Sequence, residues 1–254
     1  MDHTKRLDAL LSDRGFCSRR KVEDFLYGNS VLLNARKVTA GGTRVNMDKD
    51  ELIVNGKKIE LKLDQKELVY YALNKPKGIL SAASDTAKRR TVTSFVPSKV
   101  RVYPVGRLDE QSTGLILLTN DGDLAHKLTH PSFHIPKVYL VWVVGVPSEK
   151  RLDKIREGMK LKEGWTKPTK VTILKSSPKR ALVEVTLNEG KNHQIRRMFT
   201  RIGINIVELK RVAMGTLELE HLGLGQFREL SKVELDKLKK EVAEQVKLAE
   251  QNMS

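Results

Sequence analysis

Apolar residues near the start of the chain recur three or four positions apart, which is the spacing of one helix face. This pattern covers 7–11 and returns at 22–26, so the sequence predicts two short helices. We expect Ser18 to cap the second helix and Gly28 to end it. The cap would place three basic residues beside free backbone N–H groups, an arrangement that favours phosphate.

A hairpin is predicted next, because Asn55-Gly56 separates two short apolar runs and favours a tight two-residue turn. The polar run 64–67 has the composition of a linker. These features predict a small N-terminal α/β domain over residues 1–63.

The rest of the chain is rich in apolar runs of strand length. Strands are predicted at 68–73, 115–119, 138–144, 171–174, 182–187 and 204–209. Helices are predicted at 123–129, 149–157 with Ser148 as cap, 194–202, and from the capping box Ser231–Glu234 onward. Because strands and helices do not alternate regularly, we expect an α+β fold with a mixed, largely antiparallel sheet over 68–230 and a C-terminal helix over 231–254.

The net charge of the chain predicts that its binding partner is a polyanion. The 254 residues include 47 Lys and Arg against 31 Asp and Glu, a formal net charge of +16. The excess lies in the body of the chain, since residues 75–107 hold eight basic side chains and one acid. Such clusters can be a solvated face, but within loops containing Gly and Pro they favour a groove that contacts phosphates.

Other protein classes are disfavoured by composition. No apolar run approaches the roughly 20 residues that span a bilayer, so we expect no membrane association. The first six residues lack a secretory pattern, and Cys17, the single cysteine, cannot form an internal disulfide. We therefore expect a cytoplasmic monomer.

No cofactor and no metal are expected. The sequence contains no P-loop and no dinucleotide-binding glycine motif after a strand. His126, His130 and His134 are four residues apart, but Pro131 interrupts any helix that would align them as zinc ligands. Histidines of surface turns are the preferred interpretation.

The candidate catalytic residue is Asp109, in a loop that leads from Gly106 into an apolar strand. A carboxylate held by its neighbours against a sheet can serve as nucleophile or base. Taken alone, an aspartate in this position more often caps a turn than takes part in catalysis.

Four motifs in order give this segment a wider context: 73–78 (LNKPKG), 106–115 (GRLDEQSTGL), 137–139 (KVY) and 189–198 (EGKNHQIRRM). Together they resemble the catalytic domain of ribosomal RNA pseudouridine synthases of the RsuA/RluB type, which also include RluE and RluF. Arg6-Leu7-Asp8 and Gly15 to Arg20 resemble an S4 RNA-binding domain. One departure is His193, since RsuA-type proteins often carry arginine there.

The resemblance implies a reaction and three catalytic residues. Uridine would be isomerised to pseudouridine without a cofactor, after the base leaves its stack. Asp109 would be the catalytic carboxylate, either attacking C1′ or removing the C2′ proton. Arg196 would pair with Asp109, and Tyr139 would stack on the base and assist proton loss from C5. From the sequence alone, Tyr139 could instead be a core residue of its strand.

The resemblance also implies RNA contacts from residues in both units. The expected RNA-binding residues are Arg6, Ser18, Arg19, Arg20, Lys21, Lys75, Lys77, Arg107, Lys191 and Arg197. The partner would be ribosomal RNA with a loop or unstacked uridine, as naked RNA or as a ribosome assembly intermediate. The alternatives are a catalytically inactive S4-type RNA-binding or assembly factor and a DNA-binding regulator.

Overall fold

The computed structural model describes residues 4–61 and 67–251. The chain divides into two units, Met1–Glu67 and Leu68–Ser254. The sequence prediction puts its boundaries near the same place, but whether the first unit is an S4 domain stays a prediction.

The first unit combines two helices with two small antiparallel sheets. Its strands are β1 (Thr4–Arg6), β2 (Val31–Leu33), β3 (Arg36–Lys37), β4 (Arg44–Asn46), β5 (Leu52–Val54) and β6 (Lys57–Ile59), and its helices are α1 (Leu7–Asp13) and α2 (Val22–Gly28). The sheets have the orders β1-β4 and β3-β2-β5-β6. Asn55 and Gly56 both adopt positive φ between β5 and β6, so the predicted tight hairpin is confirmed.

The predicted N-cap of the second helix is wrong, whereas its predicted end is confirmed. A 3-10 helix, Arg19–Lys21, precedes α2, so Lys21 occupies the N-cap position of α2. The Ser18 side chain makes no capping hydrogen bond, and α2 ends at Gly28 as expected. The basic residues therefore lie ahead of α2, whose own first turn is acidic.

A nine-stranded sheet dominates the second unit. Its strands, with a separate short pair β11-β12, are β7 (Tyr70–Lys75), β8 (Tyr103–Pro104), β9 (Thr113–Thr119), β10 (Lys137–Val144), β11 (Lys160–Leu161), β12 (Gly164–Trp165), β13 (Lys170–Ser177), β14 (Arg180–Leu187), β15 (Ile206–Met214), β16 (Leu217–Glu218) and β17 (Phe227–Glu229). The main path is β13-β14-β10-β15-β9-β7-β17, with β16 on β15 and β8 on β9. Among the described strands, β15-β9 is the parallel pair and the remainder are antiparallel, which confirms the largely antiparallel expectation.

Four α-helices pack around this sheet: α3 (Gly122–Thr129), α4 (Glu149–Arg156), α5 (Gln194–Arg201) and α6 (Lys232–Gln251), with 3-10 turns at Val92–Phe95 and Pro131–Phe133. The predicted capping box of α6 is confirmed: the Ser231 N–H donates to Glu234 Oε2 at 2.9 Å, and the Glu234 N–H donates to Ser231 Oγ at 3.3 Å. Ser148 is the N-cap residue of α4, but its side chain makes no capping bond. No described helix is long and apolar enough to cross a membrane.

Gly114 permits the parallel contact in the middle of the sheet. It has φ +105°, and a Cβ built on it would lie 2.1 Å from the carbonyl oxygen of Arg211. No other side chain fits there without moving β15 away from β9. The glycine that follows the Asp109 loop is thus required by the contact between two strands.

Strand ends differ from the predictions most clearly at β15. The apolar run predicted a strand over 204–209, whereas β15 begins at Ile206 and continues to Met214. Its pairing with β10 from Val143 back to Lys137 carries it through Lys210 and Arg211. The extension buries Arg211 in the sheet, which a pattern of apolar residues does not predict.

Candidate active site

One open pocket of about 380 Å³ lies in the second unit. It is bounded by the loop before β9, the start of β10, the loop before α5 and the middle of β15. Three of the four sequence motifs thus meet at one place, and the predicted residues Arg107, Asp109, Tyr139 and Lys191 line it.

The Asp109 loop is held rigidly by its backbone. Gly106 adopts φ +72° at the start of the loop. The Ser81 hydroxyl donates to the Leu108 carbonyl at 2.9 Å and accepts from the Leu108 N–H at 3.0 Å. The Ser112 N–H donates to the Asp109 carbonyl at 2.9 Å and closes the turn. Asp109 therefore occupies a fixed position at the pocket wall.

Lys75 is buried, so its predicted phosphate contact is wrong. The side chain is fully inaccessible, and its ammonium donates to the carbonyls of Pro76, Asp109, Glu110 and Ser112 at 2.8–3.3 Å. Burial lowers the pKa of Lys75 to about 8, and the charges of Asp109 and Glu110 oppose that shift. Lys75 therefore supports the Asp109 loop from beneath instead of contacting RNA.

Two basic side chains flank the Asp109 carboxylate. His193 Nδ1 lies 3.3 Å and Arg196 Nε lies 3.8 Å from Asp109 Oδ2. At 3.8 Å, the contact between Arg196 and Asp109 is an ion pair rather than a hydrogen bond. The two residues therefore lie next to each other, as the predicted pairing requires. Asp109 itself is half-buried, with 25% of its side chain exposed.

Arg196 is positioned from the other side by the Asp109 loop. Its Nη2 donates to the Gln111 carbonyl at 3.1 Å and to Ser112 Oγ at 3.2 Å. The guanidinium thus joins α5 to the loop before β9, and the carboxylate and its cation are fixed relative to each other.

The loop before α5 is stabilised by a compact ionic network. Glu189 accepts from Lys191 Nζ, from Gln194 Nε2 at 2.7 Å and from the Lys167 N–H at 3.0 Å. Burial would raise the pKa of Glu189, but these hydrogen bonds outweigh it and the pKa is lowered. Lys191 is therefore paired inside the protein, which leaves it less free for the predicted phosphate contact. His193, with φ +47°, follows this network as the N-cap of α5.

The floor of the pocket is formed by β10 and β15. Lys137 and Tyr139 are two positions apart on β10, so their side chains lie on the same face of the sheet. Arg211 is the cross-strand partner of Tyr139. All three line the pocket. Tyr139 is half-buried and packs against two of the hydrophobic clusters of this unit, so its core interpretation and its functional one are both compatible with its position.

The remaining predicted RNA-binding residues of the second unit differ in availability. Lys77 and Arg107 are exposed. Arg197 instead donates from Nη1 to Glu163 at 2.7 Å, and two of its other nitrogens are buried without a partner. That geometry directs Arg197 to the protein rather than to solvent.

In the first unit, the predicted basic residues form an exposed group. Arg6 and Arg19 both pair with Asp8, at 3.2 and 3.3 Å. These hydrogen bonds lower the pKa of Asp8, although burial by itself would raise it. Arg20 and Lys21 are exposed, and Ser18 is half-buried beside them.

Over the described ranges, no group of three or more His, Cys, Asp or Glu side chains could hold a metal ion. His126 and His130 stack with their ring centroids 4.9 Å apart, and His134 contacts Lys167.

Sequence reasoning missed the roles of His193, Lys137 and Arg211. His193 stood out only as a departure from the motif, and nothing in the spacing placed it beside Asp109. Lys137 could have been found, because residues two apart on a strand share a face and Tyr139 was already a candidate. Arg211 had no comparable signal, because Glu208 and Lys210 are also charged in the same strand.

Comparisons with known proteins agree with this geometry. The family described as RNA pseudouridylate synthase matches residues 69–201. The ribosomal large subunit pseudouridine synthase B of Bacillus subtilis is 40% identical over 238 residues, covering 92% of this chain and 96% of that protein. An uncharacterised RNA pseudouridine synthase of Aquifex aeolicus is 37% identical over 239 residues, with 93% and 94% coverage. A crystal structure of a pseudouridylate synthase superposes with a TM-score of 0.65 at 30% identity, covering 92% of this chain and 99% of that one.

Proposed function

Because the chain belongs to the RNA pseudouridylate synthase family, we propose that its pocket isomerises uridine to pseudouridine in ribosomal RNA with Asp109 as the catalytic carboxylate. The observation that carries the assignment of Asp109 is its carboxylate at the pocket wall, flanked by His193 at 3.3 Å and Arg196 at 3.8 Å. A carboxylate that a rigid loop holds between two basic side chains can serve as nucleophile or base.

The reaction needs no external group. The N1–C1′ bond of uridine breaks, the base turns, and C5 forms a new bond to C1′. C5 gives up one proton and N1 takes one up, so substrate and product are isomers. Asp109 can act in two ways, by attacking C1′ to form a covalent ester or by removing the C2′ proton to form a glycal. Both remain open.

Arg196 would orient the Asp109 carboxylate. Its charge lies close to Oδ2, and its hydrogen bonds to Gln111 and Ser112 fix the guanidinium before substrate arrives. Such preorganised electrostatics cost no rearrangement during the reaction.

Tyr139 would receive the flipped base. Its ring lines the pocket beside the Asp109 loop, and its hydroxyl could accept the C5 proton. Extruding a uridine from its stack costs a few kcal/mol, and less in a loop than in a helix. Exposed cations at Lys77 and Arg107 would offset that cost through phosphate contacts.

The first unit would supply RNA affinity as an S4-like domain over 1–63. The support is its exposed basic group of Arg6, Arg19, Arg20 and Lys21, together with the motif resemblance. The catalytic domain would span 68–230, and the helix over 231–254 would complete it through Leu238 and Val242, which are buried against the sheet.

We propose large-subunit ribosomal RNA as the substrate, since the Bacillus subtilis relative carries that name. The substrate could be naked RNA or an assembly intermediate, bound by a monomer. A reducing compartment such as the cytoplasm suits a chain whose single cysteine, Cys17, cannot form an internal disulfide.

The direct test uses ribosomal RNA transcripts carrying tritium at C5 of uridine. Because C5 loses its hydrogen when it bonds to C1′, each isomerisation releases one tritium. We expect release from large-subunit RNA and none from small-subunit RNA. Tight RNA binding without release from either RNA would instead identify a catalytically inactive RNA-binding factor.

A further inference from the structure

Two positively charged side chains in the pocket floor have no negative partner among the residues that the structure describes. Lys137 and Tyr139 point to one face of β10, and Arg211 of β15 is the cross-strand partner of Tyr139. The proposed reaction uses Tyr139 but neither Lys137 nor Arg211.

Arg211 is held in place but only partly satisfied. It is 3% exposed, and its Nε donates to the Leu115 carbonyl at 2.8 Å. Its Nη2 is buried without any hydrogen-bond partner. A buried charged donor without an acceptor destabilises the folded protein, unless a ligand that binds later supplies the acceptor.

Lys137 is half-buried, and no hydrogen bond or ion pair within 4–61 or 67–251 involves its ammonium. Burial, and then the charge of Arg211, lower the pKa of Lys137 to about 8. The ammonium is therefore mostly protonated at neutral pH but poorly solvated.

The acids of the pocket do not neutralise this pair. Glu189 is occupied by Lys191 and Gln194, and Asp109 faces His193 and Arg196. The fold thus maintains two uncompensated positive charges where the base is expected to lie. Functional sites are where such unfavourable arrangements are retained.

We propose that Lys137, with the fixed charge of Arg211 behind it, stabilises the uracil anion that forms when the N1–C1′ bond breaks. This inference rests on the proposed function. In both routes the electron pair of the broken bond leaves with N1, and the ring spreads the negative charge onto O2 and O4. The Lys137 ammonium donates a hydrogen bond to one of these oxygens. The charge is removed when C5 attacks C1′, after which C5 loses its proton and N1 gains one.

A backbone phosphate is the less suitable partner. Arg211 is 3% exposed, so a tetrahedral phosphate on the outside of the RNA strand cannot reach it. A flat base that enters the pocket brings its carbonyl oxygens to the floor. Ring oxygens that become negative only in the reaction also match a site that stabilises the transition state more than the ground state.

The test compares Lys137→Met and Lys137→Arg with wild type in single-turnover tritium release. We expect Lys137→Met to be slower by about 10²–10³-fold, the usual loss for one preorganised donor. RNA affinity should stay within threefold, and Lys137→Arg should recover at least tenfold in rate. Lys175→Met, which removes an exposed lysine on the edge strand β13, is the matched control and should react at the wild-type rate.

Two further measurements separate catalysis from structure. Because Lys137 has no partner, Lys137→Met should unfold at the same or a higher temperature than wild type. With 5-fluorouridine, whose base holds negative charge better, the loss caused by Lys137→Met should shrink by at least tenfold when consumption of the nucleoside is followed.

The outcomes are distinguishable. If wild type releases no tritium from ribosomal RNA, the proposed function fails and this inference fails with it. If wild type is active and Lys137→Met reacts within threefold of it, only the inference is wrong. A Lys137→Met protein that unfolds earlier, is not rescued by arginine, or loses equally with 5-fluorouridine would show a structural role and would also overturn it.

Discussion

Replacing Gly114 with alanine tests whether the parallel β9–β15 contact holds the candidate site together. The new Cβ would lie 2.1 Å from the Arg211 carbonyl oxygen and 2.7 Å from the Arg211 nitrogen, whereas ordinary contacts begin near 3.4 Å. Backbone lies on the opposing side, so no side-chain rotation relieves the overlap. The strands must move apart by more than an ångström.

The magnitude follows from two costs. Alanine at φ +105° is disfavoured by about 1–2 kcal/mol. Separation of the strands also breaks the hydrogen bond from Arg211 Nε to the Leu115 carbonyl, which is worth about 1.5–3 kcal/mol for a charged donor. We expect Gly114→Ala to lower the free energy of unfolding by about 2.5–5 kcal/mol, or roughly 5–20 °C in melting temperature.

Urea unfolding followed by tryptophan fluorescence suits this measurement, because Trp142 and Trp165 both lie in the second unit. Gly190→Ala is the matched control for stability: a Cβ there meets nothing within 4 Å, so we expect a change below about 0.5 kcal/mol. Equal stability of Gly114→Ala and Gly190→Ala would refute the reasoning about the strand contact.

Three further predictions concern the buried Lys75, the ion pair of Glu234 and the basic residues of the first unit. Lys75→Met should lower the free energy of unfolding by about 3 kcal/mol in the same urea assay and slow turnover, because four carbonyls lose their donor. Glu234→Gln should cost about 1–2 kcal/mol at pH 7 in thermal unfolding, since the Arg228 hydrogen bond lowers the pKa of Glu234 to about 2 and part of that effect is screened. The difference from wild type should be complete above pH 4.5 and disappear as the pH falls towards 2. Arg19→Glu combined with Arg20→Glu should weaken RNA binding in filter-binding titrations and flatten its salt dependence without changing the single-turnover rate at saturation.

The lysine and arginine variants have controls that share their charge change. Lys77→Met removes an exposed neighbouring lysine and should leave stability unchanged, so an equal loss would contradict the support role of Lys75. For Glu234, a pH-independent difference from wild type would contradict the ionic contribution. Lys57→Glu with Lys58→Glu reverses two exposed charges of the same unit. RNA affinity as low in this pair as in the arginine pair would argue against a specific basic surface.

The sequence predicts the elements of this fold well where apolar period and turn chemistry agree. The Asn55-Gly56 hairpin, the Ser231–Glu234 capping box and the strand that begins near Asp109 are of this kind, because each is determined by residues adjacent in the chain. The ends of β15 and the N-cap of α2 were wrong, since strand pairing and a 3-10 turn override local preference there.

The candidate site was predictable in its motifs but not in its internal contacts. Asp109 and Arg196 are 87 positions apart, and only the fold brings them to 3.8 Å. Lys75 shows the reverse case. A lysine in a basic stretch is predicted to be exposed, yet four backbone carbonyls surround the ammonium of Lys75. Sequence gives no measure of such enclosure.

The most direct test of the account is single-turnover pseudouridine formation by Asp109→Asn on large-subunit ribosomal RNA. The substitution keeps the shape of the side chain and removes the charge that His193 and Arg196 flank. Glu110→Gln removes one charge from the exposed neighbouring position as a control and should react at the wild-type rate. We expect Asp109→Asn to form no detectable pseudouridine while binding the RNA within twofold of wild type. Formation at the wild-type rate would contradict the account.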